Sequence, residues 1–258
     1  MGDLAHAMAI SGGGVISLVG AGGKTTLMFC LARELAASGA SVLATTTTKV
    51  RVPGADDARQ IIISSDVEDV LNRVQGAGVG GGVLFAVARE ISSQGKLSGF
   101  QPSVIDSIAA SGAFQWIVVE ADGAAQRPVK APAPHEPVIP ESSGWVIGIL
   151  GIDVIGKPLN ESNVFRPERF ASITGLSMEN PISAASLAKV LAHPEGILKG
   201  CPKEAAAVAF LNKADTSEVV SNGRKVVAFL REMKCSLLRR ILIGKLLPDP
   251  EIHEYHNI

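Results

Sequence analysis

The sequence has 258 residues, of which 47% are hydrophobic, 19% charged and only 4% aromatic, and its formal net charge is −1. That length suits one large α/β domain or a domain with a small appendage, with a core built from Ala, Val, Ile and Leu. The near-neutral charge argues against a polyanion-binding surface, so nucleic acid is not an expected partner.

Three widely spaced cysteines, Cys30, Cys201 and Cys235, contain no C-x-x-C pair. This argues against a zinc ribbon or thioredoxin-type motif and fits a reducing cytoplasm. Met1–Gly14 lacks a cationic stretch followed by a long apolar one, so no signal peptide is expected. No apolar run reaches the roughly 18–20 residues of a membrane helix, so no membrane partner is expected either.

Val15–Val19 is a short apolar run that reads as a buried strand ending in Gly20. Thr25–Ala37 reads as a helix, stopped by Gly39. Ser41–Ala44 predicts a second strand running into Thr45–Thr48, and Ile61–Ile63 a third. A helix over Asp66–Val74 starts with early acids. Gly76–Gly82 holds five glycines in seven residues and predicts a flexible connection. Val83–Ala88 is the next strand and Ser103–Ala110 the next helix. Trp116–Val119 predicts a buried strand ending in Glu120-Ala121-Asp122-Gly123.

Arg127–Pro140 contains five prolines and is expected to be neither helix nor central strand. Trp145–Leu150 predicts a strand, and Arg166–Thr174 and Ser183–Ala192 predict helices. Ala205–Leu211 reads as a strand or an Ala-rich helix. Gly223–Met233 predicts a helix and Leu237–Ile243 the last strand. This alternation predicts an α/β fold, a mostly parallel sheet with helices on both faces in three α/β/α layers, and the Gly20–Thr26 turn after the first strand makes it P-loop NTPase-like. The expectation is a single domain over 1–258, with a Pro-rich insertion at about 124–142 and a small helical region at about 160–200.

The turn after the first strand, Gly20-Ala21-Gly22-Gly23-Lys24-Thr25-Thr26, reads as a phosphate-binding loop. It is G-x-x-G-K-[ST], two residues shorter than the usual G-x-x-x-x-G-K-[ST], because Leu18 stands where the first Gly would be. Its glycines let backbone N–H groups turn toward phosphate oxygens, and Lys24 can reach β- and γ-phosphates. The Thr25 hydroxyl is placed to ligate Mg²⁺, at a helix N-terminus that favours an anion. The alternative is a Gly-rich strand–helix turn with an incidental lysine. The shortened loop resembles that of the Mur ligases and folylpolyglutamate synthetases.

Glu120 or Asp122, at a strand end, is where such a protein places an acid for the magnesium shell. The spacing Glu120 to Gly123 resembles the D-x-x-G element of GTPases, and the alternative is an acidic turn. Asn212-Lys213-Ala214-Asp215 matches N-K-x-D, which in GTPases recognises guanine through the carboxylate. Lys24, Glu120 and Asp122 are thus the candidate catalytic residues, and Thr25 and Glu120 the candidate metal ligands. Gly20–Thr26, Asn212, Lys213 and Asp215 are the candidate nucleotide-binding set, for ATP or GTP.

Thr45–Thr48 could face a γ-phosphate or metal, or form a β-branched strand end. His135 and Glu136 could act as acid/base or metal ligands, although a surface loop is the commoner explanation. Arg127 and Lys130 could contact an anionic substrate or form a solvated surface pair. Cys30 is expected in the core.

Taken together, VGAGGKTT, ATTTTK, VVEADGA, the K-A-P-x-x-H-E-P-x-I-P run (Lys130–Pro140) and LNKAD resemble the YqeC family, accessory proteins of selenium-dependent molybdenum hydroxylases. The resemblance implies a P-loop protein in hydroxylase maturation, with an apo molybdenum hydroxylase or other maturation factors as partners. An NTP hydrolase is then the expected activity, and the E-x-x-G element is similar to that of nickel-insertion GTPases. An ATP-dependent ligase or kinase of Mur type and a non-hydrolysing, nucleotide-sensing scaffold are the alternatives.

Overall fold

A computed structural model describes residues 3–76, 82–91 and 95–258. The chain folds as two compact units. The first comprises Met1–Leu18, Thr25–Ala121 and Val138–Trp145; the second comprises Val19–Lys24, Asp122–Pro137 and Val146–Ile258.

The first unit opens with α1 (Asp3–Ala7), then β1 (Gly14–Gly20) and α2 (Lys24–Ala37), each of which shares an end with the second unit. It continues through β2 (Val42–Thr46), β3 (Lys49–Arg51), β4 (Gln60–Ile63), α3 (Val67–Gly76) and β5 (Val83–Val87). β6 (Arg89–Ile91), β7 (Lys96–Ser98), α4 (Pro102–Ala110) and β8 (Trp116–Glu120) complete it. Its main strands lie in the order β1-β8-β2-β5-β4, and every pairing is parallel. Parallel strands need cover on both faces, which is why β2 and β8 are buried at every position. Val15, Leu43, Ile62 and Ile117 of these strands pack with Ile105 and Ile108 of α4. Three short strands form a separate antiparallel sheet, β3-β7-β6.

The second unit carries β9 (Val129–Lys130), β10 (Ser143–Gly151, whose start belongs to the first unit), a 3₁₀ turn at Ile152–Val154, β11 (Val164–Phe165), α5 (Pro167–Thr174) and α6 (Ala184–Ala192). It ends with β12 (Ala206–Asn212), α7 (Ser217–Glu232), β13 (Leu238–Lys245) and β14 (Glu251–Asn257). β12 has β10 on one side and β13, parallel, on the other, and β14 closes that edge antiparallel to β13. The helices have explicit caps. Ser183 and Ser186 form a reciprocal capping box on α6, and the Thr216 hydroxyl accepts the Val219 N–H on α7.

The class is the expected one: mixed α/β with a mostly parallel sheet flanked by helices, consistent with the three-layer expectation. Ala206–Asn212 is a strand, which decides between the two readings of that segment. Helix α7 begins at Ser217, six residues before the expected Gly223, because Thr216 caps it there. Besides the short β11-β9 pair and the 3₁₀ turn at Ile152–Val154, three features had no counterpart in the expected elements. The first is α1, whose Leu4 and Ala5 N–H groups bond the Glu34 carboxylate. The second is the antiparallel β3-β7-β6 sheet, and the third is β14, whose polar composition disguises an edge strand. Most of the Gly-rich connection, residues 77–81, lies outside the described residues.

Candidate functional site

The loop after β1 is built from close backbone approaches within the second unit. Gly22 sits at a φ of +81°, and a Cβ there would stand 2.5 Å from Gly151 N and 2.6 Å from Pro128 O. No side chain fits that space, so the loop requires glycine at this point. The Ala21 N–H bonds Ile149 O at 2.9 Å, and the Gly151 N–H bonds Pro128 O at 2.8 Å. The start of the Pro-rich segment therefore packs on the loop.

Lys24 is only 4% exposed. Its Nζ donates to Gly20 O at 2.7 Å and lies 3.2 Å from Asp122 Oδ1. Asp122 Oδ1 has no well-aligned hydrogen bond among the described residues, so its charge is met by that ion pair. Asp122 Oδ2 accepts the Gly20 N–H at 3.0 Å and faces Lys130 Nζ at 2.9 Å.

Lys130 is fully buried and also donates to Glu136 Oε2 at 2.7 Å and to the Gly123 carbonyl. Arg166 closes the string with a fork onto Glu136, Nη1 to Oε2 at 2.7 Å and Nη2 to Oε1 at 3.2 Å. Its guanidinium lies 4.2 Å from the centroid of the Phe165 ring. Arg166 holds this position with a left-handed backbone, φ 64°. Burial raises the Glu136 pKa, but the hydrogen bonds and charges of Arg166 and Lys130 outweigh it and bring it from 4.5 to about 2. The string from Lys24 to Arg166 holds three cations and two anions, one net positive charge.

Asn212 stands at the end of β12, and its Nδ2 donates to Gly22 O at 2.7 Å. Its Oδ1 is buried and has no hydrogen-bond partner among the described residues. A buried acceptor left unpaired costs free energy, so it suits a site completed by a donor from a ligand. Lys213 has a left-handed backbone, φ 65°, and its Nζ is 3.7 Å from Asp153 Oδ1. The Ala214 N–H bonds Gly244 O at 3.0 Å, its carbonyl meets His253 Nε2 at 2.9 Å, and Asp215 is exposed.

In the first unit, the exposed Thr25 donates from Oγ1 to Glu120 Oε2 at 2.7 Å. Strand register puts Glu120 opposite Leu18 of β1 and Thr46 of β2. Thr26 is half-buried in the first turn of α2.

Some open alternatives narrow here, and the readings of Lys130 and Cys30 are corrected. The hydroxyls of Thr45, Thr46 and Thr47 donate to the carbonyls of Ala86, Glu120 and Val138, so they serve the strand end. Lys130 is neither a substrate contact nor a solvated surface residue, because it is buried within an ion-pair string. Arg127 is half-buried and donates to the Glu161 carbonyl. His135 is exposed, whereas Glu136 belongs to the string. Cys30 is half-buried rather than in the core, and burial raises its thiol pKa.

Sequence reasoning missed the joint role of Lys130, Glu136 and Arg166. The K-A-P-x-x-H-E-P run marked the segment, but nothing in its order of residues distinguishes a buried lysine from an exposed one.

The family model for the YqeC protein matches residues 16–168, more than half of the chain. The chain is 37% identical over 238 residues to a protein of Escherichia coli K12 called "Uncharacterized protein YqeC", covering 92% of this chain and 90% of that one. The chain belongs to the YqeC family. The residues matched by the YqeC model include the loop, Glu120, Asp122 and the ion-pair string as far as Arg166, while Asn212–Asp215 lie beyond them.

Proposed function

We propose that this YqeC-family protein binds a magnesium–nucleoside triphosphate at Gly20–Thr26 and acts as an NTPase-like maturation factor. The observation that carries this reading is the loop itself. Its glycine backbone is packed too closely for side chains, it contains a buried Lys24, and Asn212 holds it from the end of β12.

The residues suit the group. The single net positive charge of the string favours an incoming anion, and the orphaned Asn212 Oδ1 would take a hydrogen-bond donor of the ligand. Lys24 would take β- and γ-phosphate oxygens, and Thr25, next in the chain, would take the magnesium. The Thr25–Glu120 hydrogen bond favours Glu120 as the acid of the metal shell. Asp122, engaged with Lys24, Lys130 and Gly20, is better suited to organising the loop. The chemistry in this reading is phosphoryl transfer to water, driven by positioning and charge stabilisation.

The nucleotide is read as GTP. N-K-A-D follows a strand, as guanine recognition needs, and Asp215 is exposed to receive a base. The same placement weighs against a Mur-type ligase, for which this motif has no use. The cargo is read from the family resemblance as the selenium or molybdenum element of an apo hydroxylase. The test compares binding and hydrolysis of Mg·GTP and Mg·ATP by the full chain, with and without an apo molybdenum hydroxylase. GTP preference and partner-stimulated turnover are expected. Tighter ATP binding would overturn the guanine assignment, and turnover that requires a small-molecule acceptor would restore the ligase.

A further inference from the structure

In the nucleotide reading above Lys130 enters only as a member of the charged string, yet it is fully buried among two carboxylates and a carbonyl. Its ammonium donates to Glu136 Oε2 and Gly123 O and forms an ion pair with Asp122 Oδ2. Asp122, itself 1% exposed, touches the loop at two points, the Gly20 N–H and the Lys24 ammonium.

We propose that Lys130 is a positioning residue for the phosphate loop, acting through Asp122 to fix Gly20 and to free Lys24 for an incoming phosphate. This rests on the nucleotide reading. The reason is charge compensation. If Lys24 turns from Asp122 to a phosphate, the carboxylate loses a counter-charge while still buried, and an uncompensated buried charge is strongly destabilising. Lys130, at 2.9 Å, remains as the counter-charge. Without it, Asp122 would hold Lys24 as its compensating cation, in competition with the phosphate. Glu136 and Arg166 hold the Lys130 ammonium in place from the other side. The Pro-rich segment thus sets how available the loop lysine is.

The experiment is calorimetric titration of Mg·GTP and Mg·ATP into the full chain in four forms: wild type, Lys130→Met, Asp122→Asn, and both together. Thermal unfolding checks that each is folded. Lys130→Met is expected to weaken binding by at least about tenfold. Asp122→Asn and the double variant are expected to bind alike, because Lys130 has nothing to act on once Asp122 is neutral.

A folded Lys130→Met that binds like wild type overturns the proposal. So does a Lys130→Met effect of the same size in the Asp122→Asn background, as a purely structural role would give. If Lys130→Met alone does not fold, the Asp122→Asn and double-variant pair decides, since neither contains an unpaired Asp122 charge. A wild type that binds neither nucleotide overturns the phosphate reading and this proposal with it. A wild type that binds, together with an indifferent Lys130→Met, overturns the positioning role alone.

Discussion

Asp122 and Glu120 are two residues apart. Glu120 meets the hydroxyl of Thr25, while Asp122 meets two ammonium groups and a backbone N–H. In the guanine reading, Asp215 supplies the carboxylate that pairs with the N1–H and exocyclic amine of the base. Asp215→Asn should therefore shift preference from GTP toward XTP in a competition titration, and an unchanged preference would remove Asp215 from the site.

Glu136 makes a prediction about stability. Its folded pKa of about 2 lies below the ordinary 4.5, so its stabilising contribution is present above about 4.5 and is lost as pH falls toward 2. The contribution has a ceiling on the order of 3 kcal/mol, at about 1.4 kcal/mol for each pH unit between the two values, and solvent screening at this half-buried site lowers it. Denaturant unfolding of wild type across that window should show the loss. Glu136→Gln should be less stable at neutral pH and show a flatter profile between those values.

At the level of elements, the loop's geometry depends on what packs beside it as much as on its own residues. Gly22 is confined by Gly151 at the end of β10 and by Pro128 at the start of the Pro-rich segment. Gly22→Ala should therefore disrupt the loop and weaken nucleotide binding through sterics, without removing any charge or donor. Helix caps offer a contrast remote from these residues. The α6 capping box joins Ser183 and Ser186 by hydrogen bonds of 3.0 and 3.1 Å. Ser183→Ala should cost about 1 kcal/mol of stability, seen as a lower melting temperature, with nucleotide affinity unchanged. Among the elements, those with strong apolar runs were readable in advance: β1, β8 and β10 lie within a residue or two of where the sequence puts them. β14 was not readable, because an antiparallel edge strand needs only backbone pairing with β13 and tolerates Glu and His along its length.

For the whole molecule, ligand binding is read as a shift in global stability. In the nucleotide reading, Mg·GTP at about 100 times its dissociation constant should add about 2.7 kcal/mol, raising the melting temperature by roughly 5 to 10 °C for a chain of this size. Lys24→Ala should abolish that shift, and a retained shift would place the nucleotide elsewhere. The described helices include none long and apolar enough to cross a membrane.

The sequence by itself determined the α/β class, the family and the position of the glycine loop. Alternating apolar runs, short motifs and turn residues are local features, and local features are legible in chain order. Tertiary structure alone decided that Ala206–Asn212 is a strand, that Asn212 reaches back to Gly22, and that Lys130 is buried between Asp122 and Glu136. A lysine's ionic partners are set by which side chains the fold brings within about 3 Å, and those side chains can be far apart in sequence, as Glu136 and Arg166 are.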